Sequence, residues 1–592
     1  MWKVRWLCVA VVLAALLALP AWVQGKALDD QYRGAGGTHA AHLGREFGRP
    51  HALADAPWET NVIVNDDVTL LAQAFPSIAV DTSLNACAAW EDYRNGKPNP
   101  DIYFSYRPAG GPWGPNVRVN DDAETLGQHY PSIAVDSSLN AYVAWEDYRH
   151  GNDNPDIFFS YRPSGGSWGV NVQVNDDVGT AFQRHVSLAV DPDGNAYALW
   201  EDFRNGHYDI YFSYRPSGGA WGANVRVNDD TGTDEQWYPS ISVDHDGNAY
   251  AVWEDGRDGV HRHIYFSYRP AGGSWSENVM VNDAGEANQG SSIVAADPGG
   301  NAYAVWKDGR QGNPDIYSSY RPKGGAWSAN VRVNDDPGTE WQEEPFVAVD
   351  SRGNAYAVWH DYRHGEYDPD VYFSSRPAAG SWSANMRVND DAASAWQFNP
   401  AIAVDPGGSA YVLWEDNRTD PPWAGDIYFS YLERQAWVGD RVWHDGDQDG
   451  LQEAGELGVQ GILVTLYPTG GCTGSSLATH TTDSNGYYLF TSLPSGTYCL
   501  QFSSIAPWTI SPPNQGADDT VDSDADPSTA QIESVIVAAS ADEFDQDVGL
   551  YEESEFVPEL GTAAMLAAGL AGLGGYARSL WTRRQSRHAV DG

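Results

Sequence analysis

The feature that most constrains the fold is a unit of 53 or 55 residues that occurs seven times along the chain. Each copy contains four short runs rich in β-branched and aromatic residues, bounded by Gly, Pro, Asn or Asp, which is typical of strands. Four strands in a repeat of this length predict one blade of a β-propeller. The most regular marker of the unit is a tryptophan, which recurs at Trp90, Trp145, Trp200, Trp253, Trp306, Trp359 and Trp414.

The number of strands predicts how the ring closes. The first three strands occur seven times, whereas the fourth occurs once before all of them, at Trp58–Asp67, and then follows each of the first six units. We predict that this N-terminal strand completes the last blade, because pairing the two ends of the ring removes its open edges. Residues 56–438 are therefore predicted to be an all-β, seven-bladed propeller. Eight blades are the alternative, if Arg434–Val442 adds a further strand.

Charge and composition exclude several classes of protein. The 592 residues contain 81 acidic and 35 basic side chains, which gives a formal net charge of −46. A nucleic-acid partner is excluded, because phosphate contacts need clustered cations. The 25 tryptophans and a hydrophobic fraction of 42% are too high for a disordered acidic chain. The length predicts more than one domain, since single cores stop growing near roughly 250–300 residues.

The N-terminus has the pattern of a secretory signal peptide. Lys3 and Arg5 precede the apolar run Leu7–Leu19, and small residues follow up to Gly25. This order predicts a helical signal peptide over residues 1–25, with an uncleaved N-terminal anchor as the alternative. Residues 26–55 are rich in Gly, His and Ala without a period and are predicted to be a linker.

The C-terminus has the pattern of a membrane anchor. Val557-Pro-Glu559 precedes the apolar run Leu560–Ala577, whose eighteen residues would reach about 27 Å as a helix and span a bilayer core. The tail resembles the PEP-CTERM sorting signal of bacterial surface proteins, with Leu560 where that signal has its second proline. Residues 552–592 are predicted to anchor the chain, with cytoplasmic arginines at Arg578, Arg583, Arg584 and Arg587.

The repeat unit resembles that of sialidase-type propellers, although its diagnostic Asp-box is degenerate. Around Trp221, Gly218 matches the glycine of the box, whereas Pro216 and Tyr214 stand at its Asp and Ser positions. The resemblance implies that a glycoside hydrolase using the polar face of the propeller is one alternative function. Shared fold alone does not transfer an activity.

The polar residues of that face are repeated, which favours a structural role. An Asp follows the marker tryptophan by two residues in every unit, from Asp92 to Asp416, and an Arg follows that Asp by two, from Arg94 to Arg418. A catalytic acid is needed once, whereas a structural pair is needed once in each blade. We therefore predict a loop-ordering Asp–Arg pair in each blade and assign no catalytic residue.

A ligand-binding face is predicted where the repeat is broken. Two units carry Lys307 and His360 in place of the usual Glu, and three carry Trp237, Trp341 and Trp396 beside the repeated Gln. Exposed aromatic rings at these positions would contact an extracellular glycan or a surface protein. The alternative is that these tryptophans cover the neighbouring blades.

After the ring, one segment fits the twelve-position calcium loop. Carboxylates occupy positions 1, 3, 5, 9 and 12, and glycine makes the turn at position 6. A hard dication needs six to eight oxygen ligands, and an acidic turn without a metal is the alternative. The predicted Ca²⁺ ligands are Asp445, Asp447, Asp449, Glu453 and Glu456 through side chains and Leu451 through its carbonyl group.

The segment 439–551 resembles the B-type domain of serine-aspartate repeat (SdrD) surface proteins. Gly439-Asp-Arg-Val-Trp443, the acidic loop, Thr482–Phe490 and Leu493–Tyr498 carry this resemblance. It implies a prealbumin-like β-sandwich that binds calcium and serves as a rigid stalk. It also implies a second calcium region, at Asp518, Asp519, Asp522, Asp524 and Asp526.

Cysteine usage agrees with export of the chain. Cys8 lies in the predicted signal peptide, and Cys472 and Cys499 are predicted to bridge the small domain under oxidising conditions. Cys87 stands where the sibling units have Tyr142 and Tyr197, and it is predicted to be a buried substitute.

Together these patterns predict a secreted bacterial surface protein that is anchored to the cell envelope. The propeller would be a non-catalytic binding or adhesion module on a calcium-stabilised stalk domain. A sialidase-like glycoside hydrolase and a structural surface-layer component remain the two alternatives.

Overall fold

The computed structural model describes residues 58–69, 71–96, 99–122, 126–151, 154–283, 285, 287–365, 368–378, 380–391, 395–418, 425–434, 436–453, 455–493, 496–515, 521–537 and 546–552. These residues form strands and turns in two units, built from β1–β28 and from β29–β36. Within them, no helix is long and apolar enough to span a membrane. The predicted signal peptide, the linker and the membrane anchor after residue 552 lie outside the described residues.

The first unit contains seven antiparallel four-stranded sheets, numbered here as blades 1–7. Blade 1 is β2 (Gln73–Val80), β3 (Ala86–Asp92), β4 (Asp101–Arg107) and β5 (Val117–Arg118). Blade 2 is β6 (Gln128–Val135), β7 (Ala141–Asp147), β8 (Asp156–Arg162) and β9 (Val172–Gln173). Blade 3 is β10 (Gln183–Val190), β11 (Ala196–Asp202), β12 (Asp209–Arg215) and β13 (Val225–Arg226). Blade 4 is β14 (Gln236–Val243), β15 (Ala249–Asp255), β16 (His263–Arg269) and β17 (Val279–Met280).

The remaining blades follow the same order. Blade 5 is β18 (Gln289–Ala296), β19 (Ala302–Asp308), β20 (Asp315–Arg321) and β21 (Val331–Arg332). Blade 6 is β22 (Gln342–Val349), β23 (Ala355–Asp361), β24 (Asp370–Arg376) and β25 (Met386–Arg387). Blade 7 is β26 (Gln397–Val404), β27 (Ala410–Asp416), β28 (Asp426–Leu432) and, from the start of the unit, β1 (Val62–Ile63).

The blades form a closed ring. Each first strand contacts the first strands of both neighbouring blades, and β2 of blade 1 contacts β26 of blade 7. The predicted closure is confirmed, because β1 pairs with β28 through Val62 opposite Phe429 and Ile63 opposite Tyr428. The alternative of an eighth blade is wrong, since β29 (Ala436–His444) pairs within the second unit. The first unit is thus a seven-bladed β-propeller.

Burial explains the pattern of apolar residues in the repeat. The second strand of each blade packs against neighbouring strands on both faces, so its Ala-Tyr-Ala-Val-Trp run is apolar without alternation. The marker tryptophan is fully buried in all seven blades. The fourth strands are two residues long and lie at the outer edge, where six of the seven carry an exposed valine.

Every first strand contains a β-bulge near its start. The register with the second strand shifts there, as between Ala74 and Ser77 in blade 1. The bulge forces one non-glycine residue into the left-handed backbone region, which is unfavourable for residues with a Cβ atom. These residues are Phe75, Tyr130, His185, Tyr238, Ser291, Glu344 and Asn399, with φ between 46° and 53°.

The second unit is a β-sandwich of two four-stranded sheets. Tyr488 and Phe502, one from each sheet, pack edge to face with their ring centroids 5.6 Å apart. Cys472 is joined to Cys499 by a disulfide bond. One sheet contains β32 (Tyr487–Leu493), β29, β36 (Val548–Glu552) and β34 (Trp508–Ile510). The other contains β31 (Ala478–Thr481), β30 (Leu463–Tyr467), β33 (Gly496–Ser503) and β35 (Gln531–Val537).

Candidate functional site

The repeated Asp and Arg form a clamp that holds adjacent blades together. In blade 1, Asp92 is fully buried and accepts a hydrogen bond from the indole of Trp90 (3.1 Å). The Nε of Arg94 donates to Asp92 (2.9 Å), and its Nη1 donates to Asp66, which follows the fourth strand of blade 7 (2.9 Å). The predicted Asp–Arg pair is confirmed in all seven blades, at Asp92–Arg94, Asp147–Arg149, Asp202–Arg204, Asp255–Arg257, Asp308–Arg310, Asp361–Arg363 and Asp416–Arg418.

The Glu at the end of the second strand, which is buried in four of the five blades that carry it, has a different structural role. Glu91 of blade 1 accepts a hydrogen bond from the backbone N–H of Tyr130, the left-handed residue of blade 2 (2.8 Å). The carboxylate thus stabilises a strained backbone in the next blade. The same bond joins Glu146 to His185, Glu201 to Tyr238, Glu254 to Ser291 and Glu415 to Phe75.

Lys307 and His360 replace this Glu in blades 5 and 6, and a charged cluster takes its place. Lys307 Nζ lies 3.0 Å from Glu343 Oε1. His360, which is buried, has Nδ1 3.3 Å from Glu344 Oε2 and Nε2 3.8 Å from Glu343 Oε2. Burial opposes protonation of His360, but the two glutamates outweigh it and raise its pKa to about 9. Burial likewise opposes ionisation of Glu343, but His360 and Lys307 lower its pKa to about 2.

The seven left-handed residues define what we call the mouth ring. They lie on the innermost strands, at the end where each first strand pairs with the end of its second strand. Four of them, in blades 1–4, form an aromatic arc, with centroid distances of 4.8 Å from Phe75 to Tyr130, 5.6 Å from Tyr130 to His185 and 4.7 Å from His185 to Tyr238. The other three, in blades 5–7, form a polar arc of Ser291, Glu344 and Asn399.

Sequence reasoning missed the mouth ring. The available signal was that the position two residues after the repeated Gln varies between units, as does the residue just before it, whereas the Gln itself is constant. In a regular strand this position carries no special meaning. Only the bulge places it at the inner rim.

The residues of the predicted ligand face are placed differently from one another. Trp341 is 56% exposed. Trp237 is covered by the guanidinium of Arg262, 4.2 Å from its ring centroid. Trp396 packs on Phe398 (5.6 Å), which in turn contacts His360 (5.7 Å). The structure therefore joins Lys307, His360 and Trp396 through the intervening Glu343 and Phe398.

The acidic loop of the second unit brings its carboxylates together. Carboxylate oxygens of Asp445, Asp447 and Asp449 lie within 4.8 Å of one another, and the same holds for Asp447, Glu453 and Glu456. Such a set of oxygen donors suits a hard dication. Burial and then the neighbouring carboxylates Asp449, Asp447, Glu456 and Asp445 raise the pKa of Glu453, as crowded like charges do.

The backbone of this loop depends on its glycine. Gly450 has a φ of +82°, and a Cβ atom there would lie 2.4 Å from the carbonyl oxygen of Pro512. Asp445 accepts hydrogen bonds from the N–H groups of Gln448 (2.6 Å) and Gly450 (2.9 Å). Leu451, whose carbonyl group was the predicted ligand, forms a β-bridge with Asp522.

The second acidic region is less concentrated. Asp524 accepts a hydrogen bond from the N–H of Asp547 (2.7 Å). Asp526 caps its own turn by accepting from the N–H groups of Ser528 and Thr529. Asp522 lies beside the first loop through its bridge to Leu451. Asp518 and Asp519 lie outside the described residues.

The two units thus define a chain that couples a β-propeller to a β-sandwich with an acidic loop. Residues 436–550 match the SdrD B-like domain. Over 119 residues, the chain is 40% identical to serine-aspartate repeat-containing protein C of Staphylococcus aureus strain MRSA252. The aligned segment covers 20% of this chain and 12% of that protein. The same protein of strain N315 gives the same identity and coverage. The chain therefore spans only 12% of the length of these relatives.

Among solved structures, the ring is similar in outline to several proteins at low identity. An ulvan lyase aligns with a TM-score of 0.42 and 13% identity, over 64% of this chain and 94% of its own. The lectin BP39L of Burkholderia pseudomallei aligns with a TM-score of 0.42 and 11% identity, over 62% and 98%. A Hadza microbial sialidase aligns with a TM-score of 0.36 and 12% identity, over 56% and 73%. Likenesses of this strength say nothing of what this chain does.

Proposed function

We propose that this chain is a secreted bacterial surface protein, anchored to the cell envelope, whose propeller is a non-catalytic binding module on a calcium-stabilised domain. The SdrD B-like domain supports the surface location. The Cys472–Cys499 disulfide agrees with export, since such bonds persist in oxidising compartments. The sequence pattern of a signal peptide and a C-terminal anchor points the same way.

The observation that carries the binding proposal is the contrast between the clamps and the mouth ring. The repeated carboxylates and guanidiniums of this face are engaged in holding blades together, seven times over. Side chains that differ from blade to blade gather at the mouth ring and in the cluster of Lys307, Glu343 and His360. The side chains that hold the blades together are the same in every blade, whereas those of the mouth ring and the cluster differ. The surface with differing side chains is therefore the candidate site for a specific partner.

Calcium is the cofactor that the acidic loop would take. Its side-chain ligands would be Asp445, Asp447, Asp449, Glu453 and Glu456, with the carbonyl group of Leu451. A bound dication would neutralise the mutual repulsion of these carboxylates and tie the loop to the bridge between Leu451 and Asp522. The domain would then act as a stiff support for the propeller.

Binding is tested with the purified chain on arrays of glycans and extracellular proteins in the presence of calcium. We expect a ligand whose binding is lost when Tyr130 and Tyr238 of the mouth ring are both replaced by alanine. The matched control is Val170→Ser, at an exposed position of the hairpin on the opposite end of blade 2. Binding that survives the double variant but fails in the control would contradict the placement of the site.

A sialidase-like glycoside hydrolase is the second candidate. Its candidate acid is Glu254, whose pKa burial raises although Arg262 lies 3.1 Å away; burial raises the pKa of the equivalent Glu146 in the same way. A panel of fluorogenic glycosides decides between the two. Turnover that disappears in Glu254→Gln would establish the enzyme, and no turnover on any glycoside would leave the binding module.

A structural surface-layer component is the third candidate, and the equal clamps of all seven blades favour it. It predicts that the purified chain assembles into ordered sheets in calcium and binds none of the arrayed ligands.

A further inference from the structure

We propose that four equivalent grooves at the outer edge of the propeller bind the carboxylate groups of an acidic polysaccharide, one uronic acid residue in each groove. The grooves lie between consecutive blades from blade 1 to blade 5, and we call them the arginine grooves. Their arginines lie at the start of the second strand, as Arg215 does opposite Ala196, whereas the mouth ring lies at its end. The inference therefore adds a second site, distinct from the mouth ring, to the proposed function.

Each groove is built from the same three side chains. The arginine that ends the third strand of one blade lies over a phenylalanine of the preceding blade, with the guanidinium carbon 5.0–5.2 Å from the ring centroid. A tryptophan is edge-on to the same phenylalanine at 5.1–5.2 Å. The four arginines are Arg162, Arg215, Arg269 and Arg321, and their phenylalanines are Phe104, Phe159, Phe212 and Phe266.

These four guanidiniums have no acidic partner. Within the described residues none of them makes a hydrogen bond or an ion pair, although all four arginines are partly exposed. Burial lowers the pKa of Arg215 and of Arg321, and only neighbouring tyrosines oppose this effect. A guanidinium that lies over an aromatic ring keeps its N–H groups for other partners, and its planar fork matches the two oxygens of a carboxylate.

The grooves have room for a sugar residue. The groove between blades 3 and 4 has a volume of about 500 Å³, and the groove between blades 4 and 5 has about 760 Å³. In the first, Tyr214 and Ser274 line the cavity beside Arg269, and their hydroxyl groups make no hydrogen bond within the described residues. Val225 and Trp275 form its apolar wall. A uronic acid residue could therefore bond through its hydroxyl groups as well as its carboxylate.

The other charged groups of the groove between blades 3 and 4 already have partners. Arg226 pairs with Asp209 (3.4 Å), and Asp229 pairs with the clamp arginine of blade 4 (2.9 Å). Arg269 is the charge that remains for a ligand. The groove between blades 4 and 5 contains in addition the exposed Glu277, where the other three grooves have an uncharged residue, so we expect it to bind an anion more weakly.

The equivalence of the grooves favours a ligand that repeats. Four copies of one binding unit on consecutive blades suit a polymer with one carboxylate in each repeating unit, because several weak contacts then act together. Sparse charge is favoured over dense charge, since the net charge of −46 repels a dense polyanion.

The set is incomplete in the remaining blades. Ser318 replaces the phenylalanine between blades 5 and 6, where the cavity is only about 20 Å³. Leu432 replaces the arginine at the end of the third strand of blade 7, and the equivalent Arg107 of blade 1 is buried. The proposal is therefore confined to the four grooves.

The test is binding of the purified full chain to immobilised polymers, measured by biolayer interferometry in buffer with calcium. Sodium hyaluronate has one carboxylate in each disaccharide, dextran is neutral, and poly-L-glutamate is an acidic polypeptide. We expect hyaluronate alone to bind, and to bind more weakly as the salt concentration rises. The double variant Arg215→Gln with Arg269→Gln should weaken this binding at least about tenfold, whereas Glu277→Ala should strengthen it.

Three further variants serve as controls, and thermal melts verify that every variant is folded. Arg332→Gln removes a positive charge from the fourth strand of blade 5, outside the four grooves, and should leave binding unchanged. Arg184→Gln removes an arginine next to the mouth ring whose Nε has no partner within the described residues, and it should also leave binding unchanged. Arg269→Lys keeps the charge but loses the planar fork, so its affinity should be reduced even though the charge is retained.

The possible failures are distinct. Absence of hyaluronate binding, or binding that the double variant leaves intact, would overturn the inference. Equal binding of dextran would show that the carboxylate is not recognised, and preferential binding of poly-L-glutamate would replace the polysaccharide by an acidic protein. Binding of hyaluronate that is lost only in Arg184→Gln would place the ligand at the mouth ring, which would overturn the arginine grooves and support the proposed function.

Discussion

At the scale of single residues, a second tryptophan, which precedes the fourth strand of every blade, shows how blades are joined. These residues are Trp58, Trp113, Trp168, Trp221, Trp275, Trp327 and Trp382. Six of these indole N–H groups are buried without a conventional acceptor, and each ring lies edge-on to a phenylalanine of the preceding blade, 5.1–5.2 Å away. In the seventh case Ser318 replaces that phenylalanine, and Trp382 donates to its hydroxyl (2.8 Å). The indole therefore points at this position in every blade, and the phenyl face acts as its weak acceptor.

We predict that Ser318→Phe stabilises the propeller. The change restores the repeated aromatic contact and fills the small cavity between Tyr303, Ser318 and Trp382, at the loss of one hydrogen bond. The free energy of unfolding should rise by about 1 kcal/mol. Chemical denaturation measures the effect. The matched control Phe266→Ser, in blade 4, should lower the free energy of unfolding by about 3 kcal/mol, and a loss in both variants would contradict the argument.

His360 gives the propeller a predicted dependence on pH. Its folded pKa of about 9 lies above the ordinary value, so its stabilisation is complete below about pH 6.5 and is lost as the pH rises through 9. The groups that face it are Glu343 and Glu344 together with the rings of Tyr362 and Phe398. The loss should be on the order of 3 kcal/mol in thermal or chemical unfolding.

His360→Gln should flatten this dependence on pH, because the titrating group is gone. His245→Gln changes an exposed histidine and is the control that keeps the slope of the unmodified chain. An alkaline loss of equal size in His360→Gln would assign the effect to another group.

At the scale of elements, the clamp decides how firmly each blade is attached. Arg204 binds Asp202 through two nitrogens, reaches Asp176 beyond the fourth strand of the preceding blade, and lies over Tyr211 at 4.3 Å. Lysine keeps the charge but lacks the planar fork, so Arg204→Lys leaves the buried Asp202 poorly paired. We expect a loss of about 2–3 kcal/mol in the free energy of unfolding.

Arg226→Lys is the matched control for this change. Its partner is Asp209 at 3.4 Å and its side chain is 37% exposed, so the pair contributes little. The expected loss is below about 1 kcal/mol. Equal effects of Arg204→Lys and Arg226→Lys in chemical denaturation would show that the clamp is no stronger than a surface ion pair.

The elements also show where sequence reasoning succeeds and where it stops. The seven blades, the closure by the N-terminal strand and the Asp–Arg pair are predictable because each depends on a pattern repeated along the chain. The mouth ring is not, because its backbone is held by a carboxylate from the adjacent blade, as Tyr130 is by Glu91. The cluster of Lys307, Glu343 and His360 could not be predicted for the same reason, since blade 5 and blade 6 meet only in the folded ring.

At the scale of the whole molecule, the formal charge of −46 comes from an excess of acidic side chains. Those that the structure describes are of two kinds. In the propeller, most buried carboxylates have a fixed partner, such as an Arg, an Asn side chain or a backbone N–H of the next blade. In the acidic loop of the second unit, Asp447, Asp449 and Glu453 are exposed and share one small volume. Only the second kind needs a cation from solution to relieve its repulsion.

Removal of calcium should therefore destabilise the second unit and leave the propeller unchanged. A ligand present at a hundred times its Kd stabilises the folded state by about 2.7 kcal/mol, so a chelator should lower the transition of this unit by several degrees in calorimetry of the full chain. Asp449→Asn should remove the response to calcium. Asp526→Asn should retain it, because Asp526 is engaged in capping its own turn. If the chelator leaves the transition temperature of the second unit unchanged, or if Asp526→Asn abolishes the response to calcium equally, the acidic loop is not the calcium site.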